Sequence, residues 1–207
     1  MQSSKQRSRQ CLQQRLPGFL ILAAGQGKRF GGNKLTAMLD NKRVIQHCLD
    51  TLTRLNHPIA IVYEYRNIEL SHCISTYPIQ KIPFDSAQRG MGASLAYGVE
   101  QTSDWNGWVI CLGDMPWVSV DTYQNIANNL RYHPITRPSI INTSPTQTPG
   151  HPVGFQRQFK QELQALTGDE GAKYIISRHK HSLYSMETSD YGIVLDIDLP
   201  SDLNRPP

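Results

Sequence analysis

Cationic side chains and glycines are concentrated in one short stretch near the start of the chain. An apolar run, Phe19 to Ala24, is followed by a segment that contains Gly25, Gly27, Gly31, Gly32, Lys28, Arg29 and Lys34. Glycine lets a backbone turn tightly and bring its N–H groups close to an anion. Arg can contact a phosphate with two parallel hydrogen bonds, whereas Lys acts as a point charge. The stretch therefore predicts a buried strand that leads into a phosphate-binding loop.

Two common phosphate loops do not match this spacing. A dinucleotide-binding G-x-G-x-x-G that begins at Gly25 would require glycine at Phe30. A P-loop requires Gly-Lys-Ser or Gly-Lys-Thr, whereas Gly32 is followed by Asn33. The stretch is then either a phosphate loop of another type or a basic turn that has only a structural role.

Carboxylates at two later positions are candidates for a metal site. Asp114 follows the apolar run 108–112, and its oxygen atoms are the hard ligands that Mg²⁺ uses beside phosphate groups. Asp196 and Asp198 would lie on one face of a predicted strand, so either could reach the same ion. Asp202 is expected to cap the final turn. A purely structural interpretation makes Asp114 a turn or cap residue and the later carboxylates a solvated acidic turn.

Three further short motifs contain glycine. Gly90, Gly92 and Ser94 open a predicted helix, where backbone N–H groups and the hydroxyl could bind a ribose, a base edge or a phosphate. Gly150 and His151 form a compact turn, although a lone histidine is more often structural than catalytic. The segment 168–172 has the pattern of a turn between helices, with capping residues.

Alternation of apolar and amphipathic segments predicts the elements that position these residues. Strands are expected at 19–24, 59–63, 79–84, 108–112, 137–142, 183–187 and 193–197, and helices at 44–55, 68–77, 92–101, 121–132, 158–166 and 171–178. Asp121 is the expected N-cap of its helix. The order predicts a mostly parallel α/β sheet, in which ligands bind at the carboxyl ends of strands. The loops after the first, third and fourth strands should therefore meet in one crevice.

Length and composition fit one cytoplasmic domain. The 207 residues carry a net charge of +4, which comes from four cations before residue 17, namely Lys5, Arg7, Arg9 and Arg15. Residues 1–16 are expected to be a disordered basic leader and residues 17–207 the folded domain. Since the domain is formally neutral, we expect no nucleic-acid partner, and the first apolar run is too short to span a membrane. The four scattered cysteines, Cys11, Cys48, Cys73 and Cys111, suggest reduced structural thiols.

Taken together, the motifs resemble those of the molybdenum cofactor cytidylyltransferases, which are related to the molybdopterin guanine dinucleotide synthases. The signature L-A-A-G-x-G-x-R-F-G-x-x-K matches residues 22–34, and the other matching segments are 90–95, 112–116, 150–153, 168–172 and 196–200. The resemblance implies a single-domain, Rossmann-like sheet of the nucleotidyltransferase type. It also implies that Ala24 favours CTP, because guanylyl relatives have Ala-Gly-Gly where this chain has Ala-Ala-Gly.

The implied reaction is transfer of CMP from CTP to the terminal phosphate of molybdenum-loaded molybdopterin, with release of pyrophosphate. The implied catalytic residues are Arg29, Lys34 and Asp114, with Mg²⁺ held by Asp114 and Asp198. The implied nucleotide-binding residues are Leu22, Ala23, Ala24, Gly25, Gly27, Lys34, Gly90, Gly92 and Ser94, and the pterin would bind near Gly150 and His151.

The chain departs from the family pattern at Pro149, where many relatives have arginine, and at Leu199, where threonine is usual. If that arginine holds the pterin, this chain could act on a different phosphate-bearing acceptor. The motifs are also compatible with a guanylyltransferase, or another small-molecule nucleotidyltransferase, and with a non-catalytic nucleotide-binding maturation factor. A molybdoenzyme or a maturation chaperone is a further expected partner.

Overall fold

A central sheet with helices on both faces organises the protein. The computed structural model describes residues 16–25, 27, 29–86, 89–140, 147–169 and 171–204. The strands are β1 (Gly18–Ala23), β2 (Met38–Leu39), β3 (Lys42–Arg43), β4 (Ile59–Glu64), β5 (Gln80–Phe84), β6 (Gly107–Leu112), β7 (Ile135–Ile140), β8 (Thr148–Pro149), β9 (Val153–Gln156) and β10 (Leu183–Thr188). The α-helices are α1 (Val44–Leu52), α2 (Ile68–Ile74), α3 (Met91–Gln101), α4 (Val120–Asn129), α5 (Lys160–Gln164) and α6 (Lys173–Arg178).

The main sheet has the order β10-β7-β9-β6-β1-β4-β5, and β8 pairs with β7. Strand β1 is parallel to both of its neighbours, β4 and β6, and β4–β5 and β7–β10 are parallel as well. Strand β9 is antiparallel to β6 and to β7. This arrangement confirms the predicted α/β class with a mostly parallel sheet.

Alternating side chains of β1 build the core on both faces of the sheet. Phe19 and Ile21 lie in one apolar layer, which includes residues of α1, α2 and α4. Leu20 and Leu22 lie in the other layer, against α3, α5 and α6. A strand covered on both faces must be apolar throughout, which accounts for the continuous apolar run in the sequence.

The structure differs from the sequence-based predictions of local structure at three places. No strand covers 193–197 in the described chain; a 3₁₀ turn at Tyr191–Val194 leads instead into irregular backbone. The sequence pattern does not predict the short strand β9. Helix α4 is capped by Ser119, whose Oγ accepts a hydrogen bond from Thr122 N (3.1 Å), and Asp121 is not the cap.

Some predictions concern residues that the structure does not describe. Nearly all of the leader, residues 1–15, lies outside the described residues, as does Lys28. Within the described part of the chain, no helix has the length and apolar character needed to cross a bilayer.

Candidate active site

A cavity of about 420 Å³ opens at the carboxyl ends of β1 and β6. Its lining residues are Leu22, Ala23, Ala24, Gly25, Gly27, Arg29, Lys34, Leu35, Gly90, Met91, Ser94, Leu112, Asp114, Asp169 and Asp198. They come mainly from the loops after β1, β5 and β6, which are the first, third and fourth predicted strands. The predicted convergence of these loops is therefore observed. The volume lies within the range of small-molecule sites, roughly 300 to 1,000 Å³.

The loop of residues 25–34, called the glycine loop below, depends on glycine at defined points. Gly27 has a φ of +56°, and a Cβ there would lie 2.7 Å from the carbonyl oxygen of Gly32. The loop folds on itself, because Phe30 N donates to Gly27 O (3.0 Å) and Lys34 N donates to Gly32 O (3.1 Å). This tight turn directs the side chain of Lys34 into the cavity.

Lys34 joins two carboxylates that are distant in sequence. Its Nζ lies 2.5 Å from Asp114 Oδ2 and 3.2 Å from Asp198 Oδ1. The side chains of Lys34 and Asp114 are 14% and 19% exposed, so this pair is shielded from solvent. Burial lowers the pKa of Lys34, but attraction and hydrogen bonds to Asp114 and Asp198 outweigh it, so the pKa is raised overall. Lys34 is therefore a firmly protonated cation on the cavity wall.

Arg29 extends this chain of charges to the surface. Its guanidinium donates to Asp198 Oδ2 at 3.0 Å, and its side chain is 80% exposed. The hydrogen bond from Lys34, together with the charges of Lys34 and Arg29, lowers the pKa of Asp198. Three predicted site residues, Lys34, Asp114 and Asp198, thus meet at one point, with Arg29 at the rim.

Asp198, rather than Asp196, contacts the cations. Burial raises the pKa of Asp196, and the nearby charges of Asp114 and Asp198 raise it further. The position of Asp198 is set by Asp202, whose Oδ2 accepts from Asp198 N (2.8 Å) and Leu199 N (2.7 Å). The sequence predicts Asp202 as a cap of the final turn; in the structure it fixes the backbone that precedes that turn.

The donor set suits a hard divalent cation. Asp114 and Asp198 present carboxylate oxygens to one cationic centre, and Mg²⁺ and Mn²⁺ both favour such oxygen ligands. Among the described residues, no cluster of three or more His, Cys, Asp or Glu forms a closed metal cage. Asp114 and Asp198 could therefore hold a cation whose remaining ligands are phosphate oxygens and water.

A polar network supports the end of the glycine loop. The Asn33 side-chain amide donates to Asn67 Oδ1 (2.7 Å), which also caps α2. Thr36 Oγ1 and the Arg43 guanidinium each donate to Glu69, both at 2.7 Å. These contacts tie the residues on both sides of Lys34 to α2. The sequence does not predict them, since none of these side chains belongs to a recognisable motif.

The second glycine segment packs against the loop at 167–169. Gly90 has a φ of +91°, and a Cβ there would overlap the carbonyl oxygen of Gly168. Gly92 N donates to that same oxygen (2.7 Å). Gly90 and Ser94 line the cavity, whereas Gly92 does not, and its N–H is already engaged. Asp169 lines the cavity although the sequence does not predict it, because its segment has the pattern of a simple turn.

The predicted acceptor residues lie beside the cavity and do not line it. Gly150 N donates to Pro138 O and His151 N to Ile193 O, both at 2.9 Å. Burial lowers the pKa of His151, the charge of Asp114 raises it, and those of Arg137 and Lys173 lower it further. His151 thus lies within electrostatic range of Asp114, which lines the cavity.

Comparison with known proteins adds an independent line of evidence. Residues 19–183 match the family model described as "MobA-like NTP transferase domain". A molybdenum cofactor guanylyltransferase of Aliivibrio fischeri (strain ATCC 700601 / ES114) is 35% identical over 120 residues, which are 58% of this chain and 55% of that protein. The match thus spans just over half the length of this curated relative. The purine catabolism protein PucB of Bacillus subtilis (strain 168) is 29% identical and covers 88% of this chain and 92% of its own.

Solved structures share the fold. The crystal structure of Rv0371c from Mycobacterium tuberculosis H37Rv superposes with a TM-score of 0.80 at 22% identity, covering 91% of this chain and 95% of that one. A second structure of that protein, a complex with manganese, has a TM-score of 0.76 at 20% identity, and the match covers 90% of this chain and 95% of that one.

Proposed function

The chain belongs to the family of MobA-like NTP transferase domains and is thus a nucleotidyltransferase, and we propose that it transfers CMP from CTP to the terminal phosphate of molybdenum-loaded molybdopterin. The observation that carries this proposal is the meeting of Lys34, Asp114 and Asp198 on the wall of a nucleotide-sized cavity, beside the glycine loop. This combination provides backbone N–H groups and a cation for phosphates, together with carboxylates for a metal ion.

The proposed reaction needs no general base. An anionic oxygen of the acceptor phosphate attacks the α-phosphorus of CTP and forms the new P–O bond. The bond from the α-phosphorus to the β-phosphate oxygen breaks, and pyrophosphate leaves with that electron pair. Catalysis then rests on positioning and on neutralising charge in the transition state.

The charged residues have separate roles in this scheme. Lys34, protonated and shielded, stabilises negative charge that develops around the α-phosphorus. Arg29, exposed at the rim, binds the departing pyrophosphate. A divalent cation, Mg²⁺ in this proposal, would be held by Asp114 and Asp198 and would supply further charge neutralisation to the phosphates.

Guanylyl transfer is the second candidate, because the A. fischeri relative is described as a guanylyltransferase. Ala24 is buried and lines the cavity, so its methyl group reduces the space available to a base. A smaller space favours a pyrimidine over a purine, which supports CTP. An Ala24→Gly variant should then gain affinity for GTP relative to the native protein.

Thermal unfolding with CTP, GTP, ATP and UTP, each with and without Mg²⁺, tests the proposal. A ligand at about 100 times its Kd stabilises by roughly 2.7 kcal/mol, which corresponds to several degrees in a domain of this size. We expect a Mg²⁺-dependent shift that is largest with CTP and is lost in Asp114→Asn. Asp104→Asn is the matched control. Asp104 is exposed and precedes the amino end of β6, whereas the cavity lies at the carboxyl end.

Other outcomes would support one of the alternative functions. A larger shift with GTP supports the guanylyl candidate. Binding of CTP without any turnover, when the acceptor is supplied, supports a non-catalytic maturation factor. Equal shifts in wild type and Asp114→Asn contradict the metal-binding role of Asp114.

A further inference from the structure

Arg137 is a half-buried cation that the described structure leaves without a counter-charge. It lies in β7, and its Nε is fully buried. Within the described residues the guanidinium makes no hydrogen bond or ion pair. Burial lowers its pKa. A partly buried cation without a partner is costly, and an anionic ligand that accepts its hydrogen bonds would offset that cost.

The turn that carries Gly150 and His151 lies directly opposite Arg137. Ser139 pairs with Pro149, and Thr136 pairs with Gly154. Between these pairs, residues 137–138 of β7 face the longer segment 150–153. The longer segment therefore forms a bulge opposite residues 137–138, and Gly150 N holds the bulge by donating to Pro138 O.

The side chain of His151 adds a second unpartnered polar group at the same place. Its Nδ1 is buried and has no hydrogen-bond partner among the described residues. The charges of Arg137, Lys173 and Asp114 all act on the imidazole. Arg137 and Lys173 disfavour the protonated imidazole and Asp114 favours it, so all three charges lie within electrostatic range of His151.

We propose that Arg137 and His151 form an anion subsite for the phosphate monoester of the acceptor, next to Asp114 but separate from the glycine loop. The guanidinium supplies charge and two parallel donors, which match a phosphate group. The imidazole supplies a donor from Nδ1. A phosphate bound here borders Asp114, so its free oxygen faces the site where the nucleotide is proposed to react. This assignment rests on the proposed function for the identity of the acceptor.

Calorimetric titration with two probes, phenyl phosphate and inorganic phosphate, tests the subsite. All variants are made in a Lys34→Ala background. This background removes the shielded cation of the glycine loop, so the titration reports phosphate binding at Arg137 and His151. Adding Arg137→Met should weaken phenyl phosphate binding by about 10-fold or more, the effect of losing a charged hydrogen bond. Arg54 is an exposed arginine in the segment between α1 and β4, and adding Arg54→Met should leave the affinity for phenyl phosphate unchanged.

The two probes separate the sources of the phosphate. Tighter binding of phenyl phosphate than of inorganic phosphate supports an acceptor site. Binding of inorganic phosphate alone overturns the acceptor assignment, and equal affinity with and without Arg137 overturns the subsite altogether.

Two further measurements separate a binding role from a structural one. Arg137→Met, made in the native chain, should raise the unfolding temperature without ligand, because a half-buried charge that has no partner among the described residues is removed. A lowered temperature would contradict the unpaired state of Arg137. Arg137→Lys keeps the charge and should keep part of the affinity for phenyl phosphate, which tests the subsite even if the methionine variant folds poorly.

The subsite and the proposed function can fail separately. Arg137→Met should retain the Mg²⁺-dependent thermal shift with CTP. Loss of phenyl phosphate binding in Arg137→Met, with no CTP shift in the native protein, would support the subsite and reject the cytidylyl function. A normal CTP shift with no effect of Arg137 on either probe would reject the subsite alone.

Discussion

The carboxylate of Asp202 accepts a hydrogen bond from the backbone N–H of Asp198 at 2.8 Å, and this contact fixes the carboxylate that faces Lys34. Asp202 is 2% exposed and accepts a second backbone hydrogen bond, from Leu199. A residue that does not line the cavity thus positions one that does.

Replacing Asp202 with alanine should affect both folding and the site. Two backbone N–H groups would lose their acceptor, so we expect Asp202→Ala to lower the free energy of unfolding by about 1 to 3 kcal/mol. Asp202→Asn keeps an acceptor oxygen and should lose less. Urea denaturation measures both variants. Equal stability of the alanine variant and the native protein would show that these two hydrogen bonds contribute little.

Lys34→Ala should lower the rate of nucleotidyl transfer by about 100-fold or more, since it removes a preorganised cation from the reacting phosphates. The remaining carboxylates, Asp114 and Asp198, would then repel each other. Steady-state kinetics of the Lys34→Ala variant measures the effect. Lys180→Ala is the control, because Lys180 is exposed and does not line the cavity. A loss of similar size in both variants would argue against a specific role for Lys34.

Two glycine-to-alanine substitutions should affect different properties of the protein. Gly90→Ala should destabilise the fold, because its φ is +91° and the new Cβ would overlap the carbonyl oxygen of Gly168. A Cβ at Gly25 meets nothing within 4 Å, so Gly25→Ala should fold normally and affect only nucleotide affinity. Thermal unfolding and CTP titration of the two variants separate these effects. Normal stability of Gly90→Ala would contradict the described packing.

The buried thiols should resist alkylation in the native protein. Burial raises the pKa of Cys48 to about 12, and its Sγ contacts the Tyr123 hydroxyl at 3.7 Å. Burial also raises the pKa of Cys111 well above its ordinary value. Both groups stay protonated at pH 8, where only the thiolate reacts.

Mass spectrometry of iodoacetamide-treated Cys11→Ser protein at pH 8 tests this expectation. Cys73, which is partly exposed, should be modified first, and Cys48 and Cys111 only after denaturant is added. Rapid labelling of Cys48 in the native state would contradict its buried, protonated state.

Much of the site could be predicted from sequence because its residues follow strands. A buried strand reads as a continuous apolar run, and the residues after Ala23 and Leu112 necessarily emerge at one edge of a parallel sheet. The glycine loop and Asp114 could be placed together on this ground alone. Their proximity is observed in the ion pair between Lys34 and Asp114.

The unpredicted features depend on contacts between distant segments. Lys34 and Asp198 are 164 positions apart, and the segment that holds Asp198 forms no strand, so alternation could not select Asp198 over Asp196. The choice follows from the contact with Asp202. Strand β9 could not be predicted because it is short and its antiparallel direction is fixed by pairing with β6 and β7, not by its own four residues.

The most direct test is pyrophosphate release from CTP in the presence of molybdenum-loaded molybdopterin, measured in the native protein, Asp114→Asn and Asp104→Asn. The account predicts release that requires both substrates and a divalent cation, falls by about 100-fold in Asp114→Asn, and is unchanged in Asp104→Asn. Release from CTP that is independent of Asp114, or no release from any nucleotide with the acceptor present, would contradict it.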